Sequence, residues 1–228
     1  MERAIHFLCL ANSYRRGGRC VAGINLATGE WVRPVHSSNH GALPAEWTQV
    51  GHDRHELLPF EVVELILEKP VPISGQPENW LLNEPGSPWK LVEQWSSEQK
   101  RSWLATNVST SDYLLGTPHD KVSDDVVLRH PARPSLEVIV VKDPEFRVTS
   151  RPGGTRPQHR VTISRHKATY DLPITDTRFS KIAHEAASWM FCISLTAPNP
   201  GIENNHFKVV ATARPLVDDL LAYVAPKG

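Results

Sequence analysis

The sequence has only three cysteines, Cys9, Cys20 and Cys192, with no C-x-x-C spacing among them, and each sits in an apolar, strand-like segment. An odd count without metal-ligand spacing argues against a disulfide framework and against a zinc site; it predicts buried free thiols and no bound metal. Neither sign of charge is in excess, since 25 Lys+Arg stand against 25 Asp+Glu. No global field therefore draws the chain to nucleic acid or to a membrane, and any anion site must be a local patch. No apolar run approaches the roughly eighteen residues of a membrane span. The N-terminus also lacks a basic stretch followed by a long apolar core and a small-residue cleavage site, so the expectation is a cytoplasmic protein with no membrane partner.

Catalytic signatures are absent as well: there is no GxSxG, no HExxH, no Walker loop and no GxGxxG after a strand. No catalytic residue and no cofactor is assigned. His119-Asp120 and Asp124-Asp125 lie in a polar stretch where surface solvation accounts for them, and the eleven histidines are scattered. Cys20 beside Arg19 has the neighbours of a lowered-pKa thiol, yet its strand context favours the core.

What the chain does have is punctuation. Nineteen prolines and thirteen glycines, spread along its length, predict many short elements and a mostly β fold, a β-rich α+β protein rather than a helical bundle. Ala4 to Leu10 is a continuous apolar run, Cys20 to Leu26 a second strand, and Trp31 to Val35 a third after the Thr28-Gly29 turn. Between the first two lies Asn12-Ser13-Tyr14-Arg15-Arg16-Gly17-Gly18-Arg19, in which arginines, an amide, a hydroxyl and an aromatic stand beside two glycines that let backbone approach a ligand. This reads as a loop suited to an anionic or nucleotide-like partner. It reads equally as a plain hairpin tip with solvated arginines, and both readings stand.

GGRCVAGINLATGEWVRPV, followed by Gln76-Pro77-Glu78-Asn79-Trp80 and by the late segments FCISL and HFKVVATA, resembles the bacterial dual OB-containing domain. The resemblance covers nearly the whole chain. It implies two OB-like small antiparallel barrels, a scaffold proposed to bind nucleic acid or nucleotides, and a setting in bacterial conflict and defence. It brings no catalytic residue set.

His36 to Leu58, polar and histidine-rich, reads as a long loop over the barrel mouth, and Phe60 to Lys69 as a partly exposed strand. Residues 73 to 124 hold Trp80, Trp89, Trp95 and Trp103, and Ser96 with Gln99 forms a capping-box signature, so a partly helical connector is expected. Trp89, Trp95 and Trp103 read as core; Trp80 stays open, because Glu78-Asn79 before it offer groups suited to a base edge. Further on, Leu136 to Val141 reads as a strand with Glu145 to Thr149 as its hairpin partner. His159 to Arg165, Met190 to Leu195 and His206 to Ala213 read as strands, the last two separated by the Pro198-Asn199-Pro200-Gly201 turn cluster. Phe179, Ile182, Ala183 and Ala186 mark an amphipathic helix capped near Thr175 or Asp176, and a last helix is expected from Pro215. The expected units are 1–72, 73–133 and 134–228: a first OB-like unit, the tryptophan-rich connector and a second OB-like unit.

Arg147, Arg151, Arg156, Arg160, Arg165 and Lys167 follow one another from 147 to 167 without an acidic residue. In a chain of zero net charge this asymmetry favours an anion site over a solvated tip. The candidate ligand residues are therefore Asn12, Ser13, Tyr14, Arg16, Arg19, Trp31, Arg33, Glu78, Asn79, Trp80, Arg160 and Arg165. The leading expectation is a module that binds single-stranded nucleic acid or a nucleotide; the alternatives are an enzyme acting on such a ligand and an adaptor for a protein partner.

Overall fold

The computed structural model describes residues 3–15, 17–85, 88–150, 157–182, 185–198 and 204–216. The opening apolar run lies in a long strand, β1 (Arg3–Arg15), which pairs antiparallel with β2 (Gly18–Asn25). Only residues 16–17 separate the two strands. The segment read as a loop is thus mostly ladder, with Ser13 opposite Cys20 and Tyr14 opposite Arg19. Two glycines explain the GGRCVAG motif. A side chain at Gly23 would put its Cβ 1.9 Å from the Leu8 carbonyl oxygen, so β1 and β2 come this close only because Gly23 has none. At Gly18 the same atom would lie 2.4 Å from the Leu43 carbonyl oxygen, where the next residue, Arg19, exchanges backbone hydrogen bonds with Leu43.

β2 continues the sheet to β3 (Trp31–Val35), and β3 runs parallel to β7 (Asn79–Leu82). β7 pairs antiparallel with β6 (Glu61–Pro70), and β6 with β1, which closes a five-stranded barrel in the order β1-β2-β3-β7-β6. This is the OB pattern. The barrel's closing strand falls within the 73–133 stretch. Its mouth is plugged by residues 36–58, where two 3-10 turns (Asn39–Gly41 and Ala45–Thr48) precede a small hairpin of β4 (Gln49–Val50) and β5 (His55–Glu56). Leu43, Trp47, Val50 and Leu57 from this segment pack on Phe7, Cys9 and Val63 inside the barrel. β8 (Lys90–Gln94) adds an outer strand beside β6.

The connector then forms α1 (Ser97–Asn107), β9 (Lys121–Ser123) and the single turn α2 (Asp124–Leu128). The capping box is formed as expected: the Gln99 N–H donates to Ser96 Oγ, and the Ser96 N–H donates to Gln99 Oε1 at 2.8 Å.

The second half repeats the design as a half-barrel. β10 (Leu136–Lys142) pairs with β14 (Ser188–Leu195), β14 with β15 (Asn205–Pro215), and β15 with β9. A three-stranded meander of β11 (Glu145–Ser150), β12 (Pro157–Arg165) and β13 (Ala168–Pro173) completes it, joined to β15 at the parallel bridge Ile174–Val210. The expected hairpin between 136–141 and 145–149 does not form. β10 and β11 are one strand path bent at Asp143, whose φ is +46° and whose N–H donates to the Ala187 carbonyl at 2.7 Å. The bend lets the first part pair with β14 and the second with β12, so that one strand path serves both sheets of the half-barrel.

The expected helix at 179–186 is also absent from the described residues, where Phe179–Lys181 makes one 3-10 turn and Ile182 is extended. The carboxylate expected to cap the helix is bound elsewhere. Asp176 accepts from the Arg178 and Ala213 N–H groups, both at 2.9 Å, and from Arg214. Phe179 instead plugs this barrel against Phe146 and Trp189, the counterpart of Trp47 in the first. Ala183, the helix expected from Pro215 and the tip of the 147–167 basic stretch (151–156) lie wholly or largely outside the described residues.

The two units share a third core. Leu8, Leu10, Ala22, Ile24 and Val62 face outward from the first barrel and meet Leu136, Val138, Met190, Cys192 and Ala211 of the second, with Leu104 of α1 closing one side. Phe60, at φ +68°, turns its ring into this layer, where Trp95 stacks on it at 6.2 Å and Trp103 meets it edge-on at 6.1 Å. All eight residues of β14 are buried, which is why Trp189–Ile193 is a continuous apolar run instead of alternating.

Met190 is fully buried in the shared layer. Replacing it by alanine is expected to lower stability by about 2–5 kcal/mol. Denaturation followed by tryptophan fluorescence and by far-UV circular dichroism is expected to give one coincident transition; two separated transitions would show that the barrels unfold independently.

Candidate functional site

The end of the first hairpin is held by one carboxylate. Glu56 Oε1 accepts from Arg19 Nε at 2.7 Å, from Asn12 Nδ2 at 3.3 Å and from the Thr177 hydroxyl at 3.2 Å. Asn12 also donates to the Leu57 carbonyl at 3.0 Å. Asn12 and Arg19 are therefore joined in a structural network, whereas Tyr14 is 49% exposed. Ser13 donates to the Cys20 carbonyl at 3.2 Å. Arg16 lies outside the described residues.

Arg33, on β3, is 1% exposed and is the most heavily bonded of the candidates. Its Nε donates to Glu78 Oε1 at 3.1 Å, Nη1 lies 3.2 Å from the Cys20 sulfur, and Nη2 donates to the hydroxyls of Ser135 at 2.7 Å and Ser194 at 3.2 Å. Ser135 in turn donates its hydroxyl to Glu78 and its N–H to Glu78 Oε2 at 3.3 Å. Burial opposes the guanidinium charge, but Cys20 and Glu78 outweigh it and hold the pKa above the ordinary arginine value. Beside this clamp, Gln76 donates to the Leu195 carbonyl at 3.0 Å. Asn79, also buried, sits opposite Arg33 in the parallel pair and donates to Gln76 Oε1 at 3.4 Å. β2, β3 and the loop before β7, which correspond to the face that OB barrels offer to ligands, here receive Ser135, Ser194 and Leu195 of the second half.

Two grooves flank the clamp. The first, of about 320 Å3, runs between the halves and is lined by Ser13, Tyr14, Arg15, Cys20, Arg33 and Gln76 on one side. Thr175, Ser194, Thr196, Ala197, Phe207 and Val209 line the other, and among the described residues no carboxylate reaches it. The second, of about 450 Å3, brings Trp31 and Trp80 together with Glu78 and Glu30. The candidates are thus divided: Ser13, Tyr14 and Arg33 line one groove, Trp31, Glu78 and Trp80 the other.

The model of the family described as dual OB-containing domain matches residues 5–213, the span over which both barrels and the clamp are built. The chain belongs to the dual OB-containing domain family. No curated protein sequence matches it. Among solved structures, the crystal structure of the tetrameric p202 HIN2 aligns over 95% of this chain and 93% of its own at 9% identity, with a TM-score of 0.31.

Arg160 and Arg165, the described arginine candidates of the second half, do not join either groove in this dual OB-containing domain. Arg160 gives Nε to Asp171 Oδ2 at 2.9 Å, Nη2 to the Asp171 carbonyl at 2.6 Å and Nη1 to Gln158 at 2.9 Å, and Arg147 shares the same carboxylate. Arg165 donates to the carbonyls of Ser109 and Ser111, and Lys167 pairs with Asp112 at 3.2 Å. Among the described residues of the basic stretch, Arg147, Arg160 and Lys167 are thus paired with carboxylates and Arg165 is held by carbonyls. Next to this network stands Lys208, 1% exposed, with Nζ donating to the Thr117 carbonyl at 2.6 Å and lying 4.7 Å from the centre of the Tyr170 ring. Burial pulls its pKa down to about 8, against the opposing pull of Glu137 and Asp120. Those two carboxyls are themselves raised by burial.

Asp124 is also not simply solvated. It accepts from Ser74, and its Oδ1 lies 2.9 Å from Nε2 of the fully buried His206. Cys9 and Cys192 are buried free thiols whose pKa values burial raises, Cys192 to about 12; Cys20 is free but half-buried. Arg15, Gln76, Thr196 and Phe207 line the first groove without having been singled out as ligand residues. Gln76 and Phe207 belong to the QPENW and HFKVVATA segments that carry the family likeness. Lys208 was not singled out either; its one signal in the sequence is a cation inside an apolar strand.

Glu78→Gln leaves the Arg33 charge buried without its counter-ion and is expected to cost about 3–5 kcal/mol, read from denaturant unfolding. For Lys208 the folded pKa of about 8 lies below the usual lysine value, so between the two the unfolded chain binds more protons and stability rises with pH. The stability difference between wild type and Lys208→Met is expected to shift in favour of wild type from pH 8 upward, by at most about 1.4 kcal/mol per pH unit. The thiols titrate in both proteins and cancel from the difference.

Proposed function

We propose that the groove between the barrels binds single-stranded nucleic acid or a free nucleotide. The observation that carries this reading is the lining itself. It combines an exposed arginine-flanked aromatic, Tyr14 beside Arg15, with Phe207, the hydroxyls of Ser13, Thr175, Ser194 and Thr196, and the Gln76 amide, and no acidic side chain among the described residues. Its volume of about 320 Å3 falls in the usual range of small-ligand pockets, roughly 300–1,000 Å3. In this arrangement Tyr14 is the stacking platform, Arg15 takes a phosphate at the mouth, and the hydroxyls and amide meet the edge of a base. Arg33 shapes the floor of the groove and takes no phosphate, because its N–H groups are engaged and its charge is paired with Glu78. The free thiols fit a reducing, cytoplasmic setting. The family likeness adds the conflict and defence setting, on which the groove has no bearing.

The test is a fluorescence-anisotropy titration with short single-stranded DNA and RNA and with a panel of nucleotides. Affinity for an oligonucleotide is expected to fall with salt by about 0.7 logarithmic units per phosphate contact. Tyr14→Ala is expected to weaken binding by about 1–3 kcal/mol if one base stacks there, with the melting temperature unchanged, and Arg15→Ala to flatten the salt slope. If wild type takes up no oligonucleotide and no nucleotide at low salt, the reading fails.

A further inference from the structure

The inter-barrel groove is the margin of the shared layer, where apolar side chains give way to polar ones. On the first hairpin Ser13 pairs directly with Cys20, and Arg15, two residues on, shares their face, the one that carries Ala11 and Ala22 into the layer. On the second half Ser194 pairs with Val209 on the face that carries Cys192 and Ala211, and Phe207, two residues before Val209, continues that wall. The walls are tied to each other in several places: the Tyr14 N–H donates to the Thr175 carbonyl at 2.9 Å, Gln76 to the Leu195 carbonyl at 3.0 Å and Arg33 to the Ser194 hydroxyl at 3.2 Å. A strand cannot thread between the halves past these ties, so a ligand enters and leaves by the outer mouth. Among the described residues the cations of the lining are Arg33 and Arg15. The first is paired with Glu78 and its N–H groups are used. That leaves Arg15, half-buried and with no side-chain bond to a described residue.

We propose that this groove takes a free mononucleotide rather than a nucleic-acid strand, its base inward against Phe207 and Val209 and its phosphate outward on Arg15. The proposal rests on the nucleotide reading of the groove and chooses between the two ligand classes left open there. A space of about 320 Å3 stands at the lower end of ligand pockets, roughly 300–1,000 Å3. It holds about one nucleotide, whereas an OB surface that binds a strand engages about 4–16 of them. A strand is also held by a track of cations, one for each phosphate it neutralises. The described arginines of the basic stretch extend no such track from Arg15: Arg147 and Arg160 are held by Asp171 and Arg165 by the carbonyls of Ser109 and Ser111, and none of them lines the groove. A single uncommitted guanidinium matches a single phosphate. At the inner end the Arg33 charge is already matched by Glu78, so what fits there is an uncharged ring, with the hydroxyls of Ser13 and Thr196 for its polar edge.

Isothermal titration calorimetry of the full chain at low salt tests this. The probes are adenosine and uridine 5′-monophosphates, the same nucleosides without phosphate, and oligouridylates of increasing length up to an octamer. A monophosphate is expected to bind about tenfold more tightly than its nucleoside. Its affinity is expected to fall with salt by about 0.7 logarithmic units per decade, the slope of a single phosphate contact. Because one phosphate is held, affinity is expected to stay within about twofold from uridine monophosphate to the octamer. Arg15→Gln removes the charge from a side chain that has no bond to lose, and is expected to bring the monophosphate down to the level of its nucleoside at an unchanged melting temperature. Affinity that climbs about tenfold or more with chain length, with the salt slope of several contacts, overturns the mononucleotide assignment and leaves the groove as a strand site. A nucleoside that binds as tightly as its monophosphate overturns it too. If neither monophosphate nor octamer binds, the proposal falls together with the reading it rests on.

Discussion

The whole molecule depends on strands that are apolar on both faces. β1 sends Phe7 and Cys9 into the first barrel while Leu8 and Leu10 leave it to meet Met190 and Cys192. β14 does the reverse, with Phe191 and Ile193 turned into the second barrel. Neither barrel in isolation could keep its outward set from water, and at roughly 25 cal/mol per Å2 of apolar surface the loss would be large for units this small. The shared layer therefore makes two OB units into one body.

The Arg33–Glu78 clamp adds orientation to that layer. A buried ion pair is worth little against a well-packed apolar replacement, but its geometry is demanding. Arg33 must reach Ser135 and Ser194, residues 102 and 161 positions away, while Glu78 holds the Ser135 N–H. These bonds set which part of the second half lies over β2 and β3 of the first, and so where the grooves open.

Much of this was readable from local pattern. The continuous run at 4–10, the alternation at 60–69 and at 159–165, and the Ser96/Gln99 box all correspond to elements formed where expected, because their signals are contained within a few residues. The failures lie where a distant partner decides. Asp176 looked like a helix cap and is held by Ala213 and Arg214. Glu145–Ser150 looked like a hairpin partner and pairs with β12 instead. The arginines looked free because their acids lie on other elements: Glu56 for Arg19 and Glu78 for Arg33, both far along the chain, and Asp171 on the next strand for Arg160. Residue type and spacing located cations correctly and said nothing of their engagement; of the aromatic candidates, Tyr14, Trp31 and Trp80 do reach accessible grooves.

The shared layer also governs time. Hinge motion between the barrels would have to break contacts of Leu8, Leu136 and Met190 at once, so the space between Tyr14 and Phe207 is permanently shaped and does not wait for a ligand to form it. On the binding proposed for this groove, association would be set by encounter and by the local charge of Arg15, and residence by the contacts made inside. Control over such a site has to come from whatever covers its mouth, since the walls themselves do not open.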